Sequence, residues 1–192
     1  MKYDLHVHTS RYSSCAVSPP EAVCRTAIKK GLTGIALTEH DVWWPTSEYE
    51  ELRRLFPELT IFSGAECAVP EGHFLVFLPD PDCRLPRLPD LPGLATEVHR
   101  QGGILIWAHP FRYDRIPPRW LVRVRPDALE LASLNMSSAV QAMARKTAAR
   151  WRIPALRNSD AHRAEDVGKY YNEIPAALKN NGDLIEYVKY LL

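Results

Sequence analysis

Two histidines stand one residue apart near the start of the chain, His6 and His8 in DLHVHT. On an extended strand, residues i and i+2 face the same side, roughly 7 Å apart along the chain. Two imidazoles at that spacing can converge on one ion at ~2.0–2.1 Å per nitrogen. Further candidates follow at wide intervals: His40 in LTEHD, Glu66 in GAEC, His73 in GHFLVFL and His109 in WAHP. Asp160 and His162 in NSDAH repeat the i, i+2 spacing. A carboxylate such as Glu66 has two oxygens and can bridge two ions. Two ions ~3.5–4 Å apart clamp the attacking and leaving oxygens of a phosphoryl displacement and lower the pKa of bound water toward ~7. A lone histidine at a strand end is more often hydrogen-bonded or solvated than a ligand. The weight lies in the set, which leaves only His99, in EVHRQ, as a surface or packing residue.

The elements that must position this set alternate between strand and helix. Strands are expected at Tyr3–Val7, Thr33–Thr38, LTIFSGAEC, GHFLVFL, GILIWAH, DALELAS and IPALRNS. A turn at Pro70–Gly72 joins the third to the fourth. Helices are expected over SPPEAVCRTAIKKG, TSEYEELRRLF, Leu94–Gln101, SSAVQAMARKTAARW and Asp183–Leu192. The first shows Ser18 as N-cap, Pro19 at the first helical position, Glu21 closing a capping box and Gly31 ending it. Such alternation indicates parallel strands with helices outside, as a closed barrel or an open doubly wound sheet. No G-x-G-x-x-G follows the first strand, which removes support for a dinucleotide fold. In either architecture the site lies at the C-terminal ends of the strands, where all the candidates fall except His73. An antiparallel or bent segment at His73 would bring it in.

The 192 residues suit a single domain spanning 1–192, and 46% hydrophobic residues provide for a core. A net charge of +1 argues against a broad polyanion-binding surface. No apolar run reaches the ~18–20 residues of a membrane span. No signal peptide is visible, and Cys15, Cys24, Cys67 and Cys83 show no C-x-x-C pair. A cytoplasmic chain with reduced thiols is expected. The proline-rich stretch Leu78–Pro92 reads as a stiff surface connection.

DLHVHT, GIALTEHD, GAE, GHFLVF, AHP and SDAH occur in the order and spacing of the PHP (polymerase and histidinol phosphatase) superfamily, which the chain resembles from Asp4 to about Gly168. The resemblance implies a distorted seven-stranded β/α (TIM-like) barrel with two or three divalent ions (zinc, manganese or iron) at its C-terminal mouth. Its usual activity is phosphoester hydrolysis. Carried over by motif, His6, His8, Glu66 and Asp160 hold the first ion. Glu66 bridges to a second, completed by His73 and His109, and His40 and His162 hold a third. The loop after His8 supplies the remaining ligand in related chains, commonly Asp or His. Here it reads TSRYSSCA, so Cys15 is the only strong ligand in reach, with Ser13 and Ser14 as lesser candidates. Cys15 as a small buried residue is the equal alternative, and the third position is then weak or filled only with substrate.

The expected chemistry is attack on phosphorus by a hydroxide bridging two metals beside Glu66. Asp41, next to His40, is a candidate proton relay, or else a surface acid. Arg112 after AHPF and Arg163 after SDAH are candidate phosphate grips, with Arg11 in the first loop. Arg112–Arg125 interleaves five arginines with Tyr113 and Trp120, which suits a nucleotide or single strand or an amphipathic helix with snorkelling arginines. Trp43 and Trp44 either wall the pocket or pack under a loop. The favoured substrate is a small phosphomonoester. A nuclease or phosphodiesterase acting on nucleotides or single-stranded nucleic acid is the alternative, and a non-catalytic metal-binding regulatory domain is the third. No membrane partner is expected, and the oligomeric state is not legible.

Overall fold

The computed structural model describes residues 1–80, 82–113 and 118–191. Its centre is a curved sheet of eight strands: β1 (Lys2–Val7), β2 (Gly34–His40), β3 (Thr60–Val69), β4 (Gly72–Phe77), β5 (Ile104–Trp107), β6 (Ala128–Ala132), β7 (Ala155–Arg157) and β8 (Asn172–Glu173). They lie in the order β7-β6-β5-β4-β3-β2-β1-β8. The expectation of seven strands omitted β8, a two-residue strand that pairs antiparallel with the start of β1. All neighbours from β1 to β7 are parallel except around β4, which runs antiparallel to both β3 and β5. A short reversal at Pro70–Gly72 permits this, with Gly72 at φ +139, a conformation that side chains with a Cβ rarely adopt. That reversal brings the first residues of β4, His73 included, to the end of the barrel where the parallel strands finish.

Closure between the two ends of the sheet relies on side chains. Among the described residues, only Val7 and Ala161 form a backbone bridge there. Below it, Asn158 Oδ1 accepts from Leu5 N (3.1 Å), and Asp4 Oδ1 accepts from Ser159 N (2.9 Å). Asn172 Nδ2 donates to the Tyr3 carbonyl, the Arg157 carbonyl and Asn158 Oδ1. Asp4 also accepts from Gly168 N, and burial pushes its carboxyl up to about 6. The register of β1 shifts between Asp4 and Val7. Tyr3 and Leu5 pack inside the barrel, whereas Val7 packs outside with residues of α1 and α2. Such irregularities re-aim side chains, and this one lies where His6 and His8 turn toward the mouth.

Five helices surround the barrel: α1 (Pro20–Lys29), α2 (Thr46–Leu55), α3 (Leu91–Arg100), α4 (Ser138–Trp151) and α5 (Asn181–Tyr190). α3 starts three residues earlier than expected because Asp90 caps it, accepting from Gly93 N at 2.9 Å. Ser137 caps α4, and Asn180 caps α5, which starts two residues earlier than expected. The capping box at Ser18 does not form: α1 begins after Pro19 without a side-chain cap, and Ser18 Oγ accepts instead from Ala164 N. α1 and α2 cover β1–β3 and α3 and α4 cover β3–β6. α5 differs, since Leu184, Ile185 and Val188 join Tyr3, Phe62, Phe77, Ile104 and Ala128 in the interior cluster. Those strand residues lie at the ends opposite the mouth, so α5 plugs the barrel floor. The connection from Pro79 to Asp90 carries no helix or strand among its described residues; Pro81 lies outside them, as does Leu192 of the expected last helix. No helix among the described residues is long and apolar enough to cross a membrane.

His99 has a structural partner. Its Nε2 lies 2.9 Å from Asp127 Oδ2, which also accepts from Leu105 N, tying α3 to the edge of β5. The Asp127 hydrogen bond raises the His99 pKa above its ordinary 6.5, against partial burial. The protonated pair therefore stabilises the fold fully below about pH 6.5 and loses that contribution as pH rises through the raised value. NMR titration should place His99 above 6.5, and Asp127→Asn should lower it toward the ordinary value.

Candidate metal centre

The mouth of the barrel gathers eight side chains from six places in the sequence. His6, His8, Glu66, His109 and Asp160 are buried, and His40, His73 and His162 are half-buried. His6 Nε2 and His8 Nε2 lie 3.0 Å apart. Both are 3.2 Å from Glu66 Oε2 and 3.3 Å from Asp160 Oδ1. A tetrahedron of ligands around an ion at ~2.0–2.1 Å has edges of roughly 3.3–3.4 Å, close to these five distances. Asp160 Oδ1 is buried and has no hydrogen-bond partner among the described residues.

The proton inventory makes the same point. Glu130 is buried and accepts from Asn158 Nδ2 (2.8 Å) and from His109 N (2.7 Å). It is therefore an acceptor toward His6 Nδ1 at 2.9 Å as well, and that nitrogen carries the proton. In neutral His6 the Nε2 lone pair would then face another imidazole nitrogen and two carboxylate oxygens. Lone pairs so gathered repel unless a cation sits among them. The titration shifts point the same way. Burial favours neutral His6, yet Asp160, Glu130 and Glu66 outweigh it and push its pKa well above the usual value. His8 is raised likewise by Asp160 and Glu66 against burial. Burial would raise Glu66 and Asp160, but the histidines hold both well below the usual carboxylate range.

Glu66 divides its two oxygens. Oε2 faces His6, His8 and His40 Nδ1 (3.1 Å), while Oε1 faces His73 Nδ1 (2.8 Å) and His109 Nε2 (2.7 Å). That is the disposition a bridging carboxylate requires. A third group is formed by nitrogens of His8, His40 and His162, all within 4.8 Å of one another. His40 also groups with Glu66 and His73, so it stands between two positions. The backbone is bent to achieve this. His109 (φ 25) and Asp160 (φ 54) adopt left-handed conformations, which cost of order 1–3 kcal/mol each and persist where surroundings enforce them.

The loop expectations come out differently. Cys15 is exposed and joins none of the three ligand groups. Its thiol pKa is raised by partial burial and by the Glu66, Asp160 and Glu39 charges. Ser13 faces the Nδ1 side of His8, away from the Nε2 cluster, and Ser14 is exposed. Asp41 is turned away, accepting from Ala68 N at 2.9 Å. Arg163 reaches Glu165 at 4.0 Å and is mostly exposed, and Arg11 pairs with Glu48. Arg112 does reach the cluster, with Nη1 3.8 Å from Asp160 Oδ2. Trp44 is buried and donates to Glu39, while Trp43 packs against the core beside α3. Within Arg112–Arg125, Asp114–Pro117 lie outside the described residues. Arg119–Val122 form one short 3-10 turn, not an amphipathic helix.

Sequence reasoning passed over Glu130 and Glu39. The signal for Glu130 was a charge inside the apolar run DALELAS, and Glu39 was hidden by its neighbour His40.

Comparison with known proteins places this geometry. A family model described as PHP-associated matches residues 141–190. An uncharacterized protein of Methanocaldococcus jannaschii is 30% identical over 128 residues, covering 58% of this chain and 68% of that one. A Bifidobacterium adolescentis protein classed as a metal-dependent phosphoesterase superposes with TM-score 0.69 at 16% identity, over 96% of this chain and 94% of that one. An amidohydrolase from Chromobacterium violaceum, solved with bound sulfate and no metal, gives 0.69 at 17%, over 97% and 96%. A two-domain Bacteroides vulgatus protein with a PHP-like phosphoesterase domain gives 0.63 at 16%, over 86% of this chain and 53% of that one. At such identities the likeness to the solved structures carries the fold.

A ligand that binds only the folded chain stabilises it, by ~2.7 kcal/mol at a hundredfold excess over its dissociation constant. Chelator treatment should therefore lower Tm by several degrees, and zinc or manganese should restore it. An unchanged Tm would argue against occupation of these groups.

Proposed function

Since this chain belongs to the PHP superfamily, we propose that it is a metal-dependent hydrolase of phosphoesters, acting on a small phosphomonoester. The observation that carries the reading is the divided Glu66 carboxylate between two sets of imidazoles, with Asp160 completing one of them. His6, His8, Glu66 and Asp160 would hold a first divalent ion and Glu66, His73 and His109 a second. His40 and His162 would contribute to a third position, where the single lone-pair nitrogen of His8 cannot also serve. Ions held there supply Lewis acidity toward the phosphoryl group and lower the pKa of water near neutrality.

The chain's own residues account for binding and orientation. Glu66 and Asp160 stay ionised because the histidines around them outweigh burial. Arg112, about one-third exposed beside Asp160, is placed to take non-bridging phosphoryl oxygens. The phosphoesterase fold of the Bifidobacterium adolescentis protein and the sulfate bound by the Chromobacterium violaceum protein agree with an oxyanion substrate. The name amidohydrolase on that relative keeps amide hydrolysis as the outcome to exclude.

A nucleotide or single-stranded nucleic acid is the second reading, and one feature favours it. An open pocket of about 520 Å³ adjoins His73 and His109, walled by Trp107, Trp120 and exposed Tyr113. Tyr113 lies 5.5 Å from the His73 ring, where a base could stack.

Protein purified without chelator or metal-affinity resin should carry two or three divalent ions by plasma mass spectrometry. It should hydrolyse an aryl phosphomonoester faster than the corresponding diester. The reverse preference selects the nuclease reading, and no turnover by loaded protein leaves the non-catalytic metal-binding role. Glu66→Gln should lower kcat about a thousandfold, ~4 kcal/mol of barrier. Arg112→Ala should raise KM about tenfold with kcat little changed, the loss of one charge-assisted contact.

A further inference from the structure

His6 and His8 are adjacent candidate ligands, but their outer nitrogens are held differently. His6 Nδ1 meets the Glu130 carboxylate directly. His8 Nδ1 meets no carboxylate; it lies 3.3 Å from Ser13 Oγ. Behind Ser13 stands Glu39, fully buried, with Oε2 2.5 Å from the same Oγ. Glu39 also receives Thr9 N (3.1 and 3.2 Å), Thr9 Oγ1 (2.5 Å) and Trp44 Nε1 (3.2 Å).

Each backbone or indole partner of Glu39 can only donate, and its hydroxyl partners can donate. The arrangement is satisfied by a carboxylate that accepts from all of them. The single Ser13 proton is then committed to Glu39. Ser13 Oγ also receives His40 N at 3.3 Å, so toward His8 it can act only as an acceptor. His8 Nδ1 must donate, which makes Nε2, aimed at Glu66 and Asp160, the nitrogen available to a metal.

We propose that Ser13 and Glu39 form a hydroxyl relay that fixes the tautomer and ring orientation of His8, making them positioning residues for a metal-binding nitrogen. The relay rests on the metal-centre reading above. It also explains the use of the loop: in place of a ligand, TSRYSSCA supplies a buried hydroxyl behind His8, and Thr9 and Trp44 pin the same carboxylate. Partners of this kind typically alter metal affinity 10- to 100-fold.

Ser13→Ala tests the relay, because the side chain is small and Glu39 keeps its other donors. Ser13→Thr retains the hydroxyl. Zinc affinity is read by competition with a chromogenic chelator, and the His8 tautomer by nitrogen-15 NMR of the zinc-loaded protein. Wild type should show Nδ1 protonated and Nε2 on the metal. Ser13→Ala should weaken zinc binding about 10- to 100-fold, with loss of the defined Nδ1–H signal, and Ser13→Thr should recover both. Unchanged affinity and tautomer in a folded Ser13→Ala protein would overturn the relay while leaving the metal centre standing. Failure of the wild type itself to bind zinc or manganese would overturn the metal-centre reading, and the relay with it.

Discussion

The arrangement depends on how the first strand meets the last part of the barrel. β1 and the segment after β7 are joined by one backbone bridge and by the side chains of Asp4, Asn158 and Asn172. This seam carries His6 and His8 on one side and Asp160 and His162 on the other. A full ladder would fix the strands but leave their pleat regular. A seam of side chains lets β1 shift register and lets Asp160 take a left-handed turn, and both are needed for four ligand atoms to lie about 3 Å apart. Asp4 and Asn158 are thus as much part of the site as the groups that face it.

Much of this was legible in the amino-acid sequence, for an identifiable reason. Candidate ligand residues stood at the ends of apolar runs, and period-two spacing placed His6 with His8 and Asp160 with His162. His73 broke the pattern and pointed to a reversed strand, which β4 is. What escaped was whatever depends on a partner distant in sequence. The hydroxyl of Ser18 prefers Ala164 N to its own helix. Asp41 lies beside His40 in sequence, but adjacent strand residues face opposite ways, and its left-handed backbone turns the carboxylate to Ala68. Arg112 and Arg163 read alike, yet only the first faces inward. Glu130 and Glu39 could have been suspected as charges in buried strands, but their partners come from elsewhere in the barrel and no local spacing reveals them.

Those two carboxylates show how buried polar groups near the mouth find partners within the chain. Each accepts several donors, and each sits behind an imidazole, not within the ligand cluster. Charge is thereby layered: acceptors outside, imidazoles between, and the candidate ligand carboxylates Glu66 and Asp160 at the centre. Around this polar mouth the outer faces of the strands remain apolar and are covered by α1 to α4, so the layering stays confined to one end of the barrel.

The opposite end is governed by α5. Because Leu184, Ile185 and Val188 supply the interior cluster beneath Tyr3 and Phe62, this helix acts as a stopper, and the strands alone would enclose a pit open to water. A protease cut in the coil between Ile174 and Asn180 would release that stopper and expose a ring of aromatic and aliphatic side chains. The far end of the helix is a different matter: Tyr190 is almost fully exposed and takes no part in the stopper.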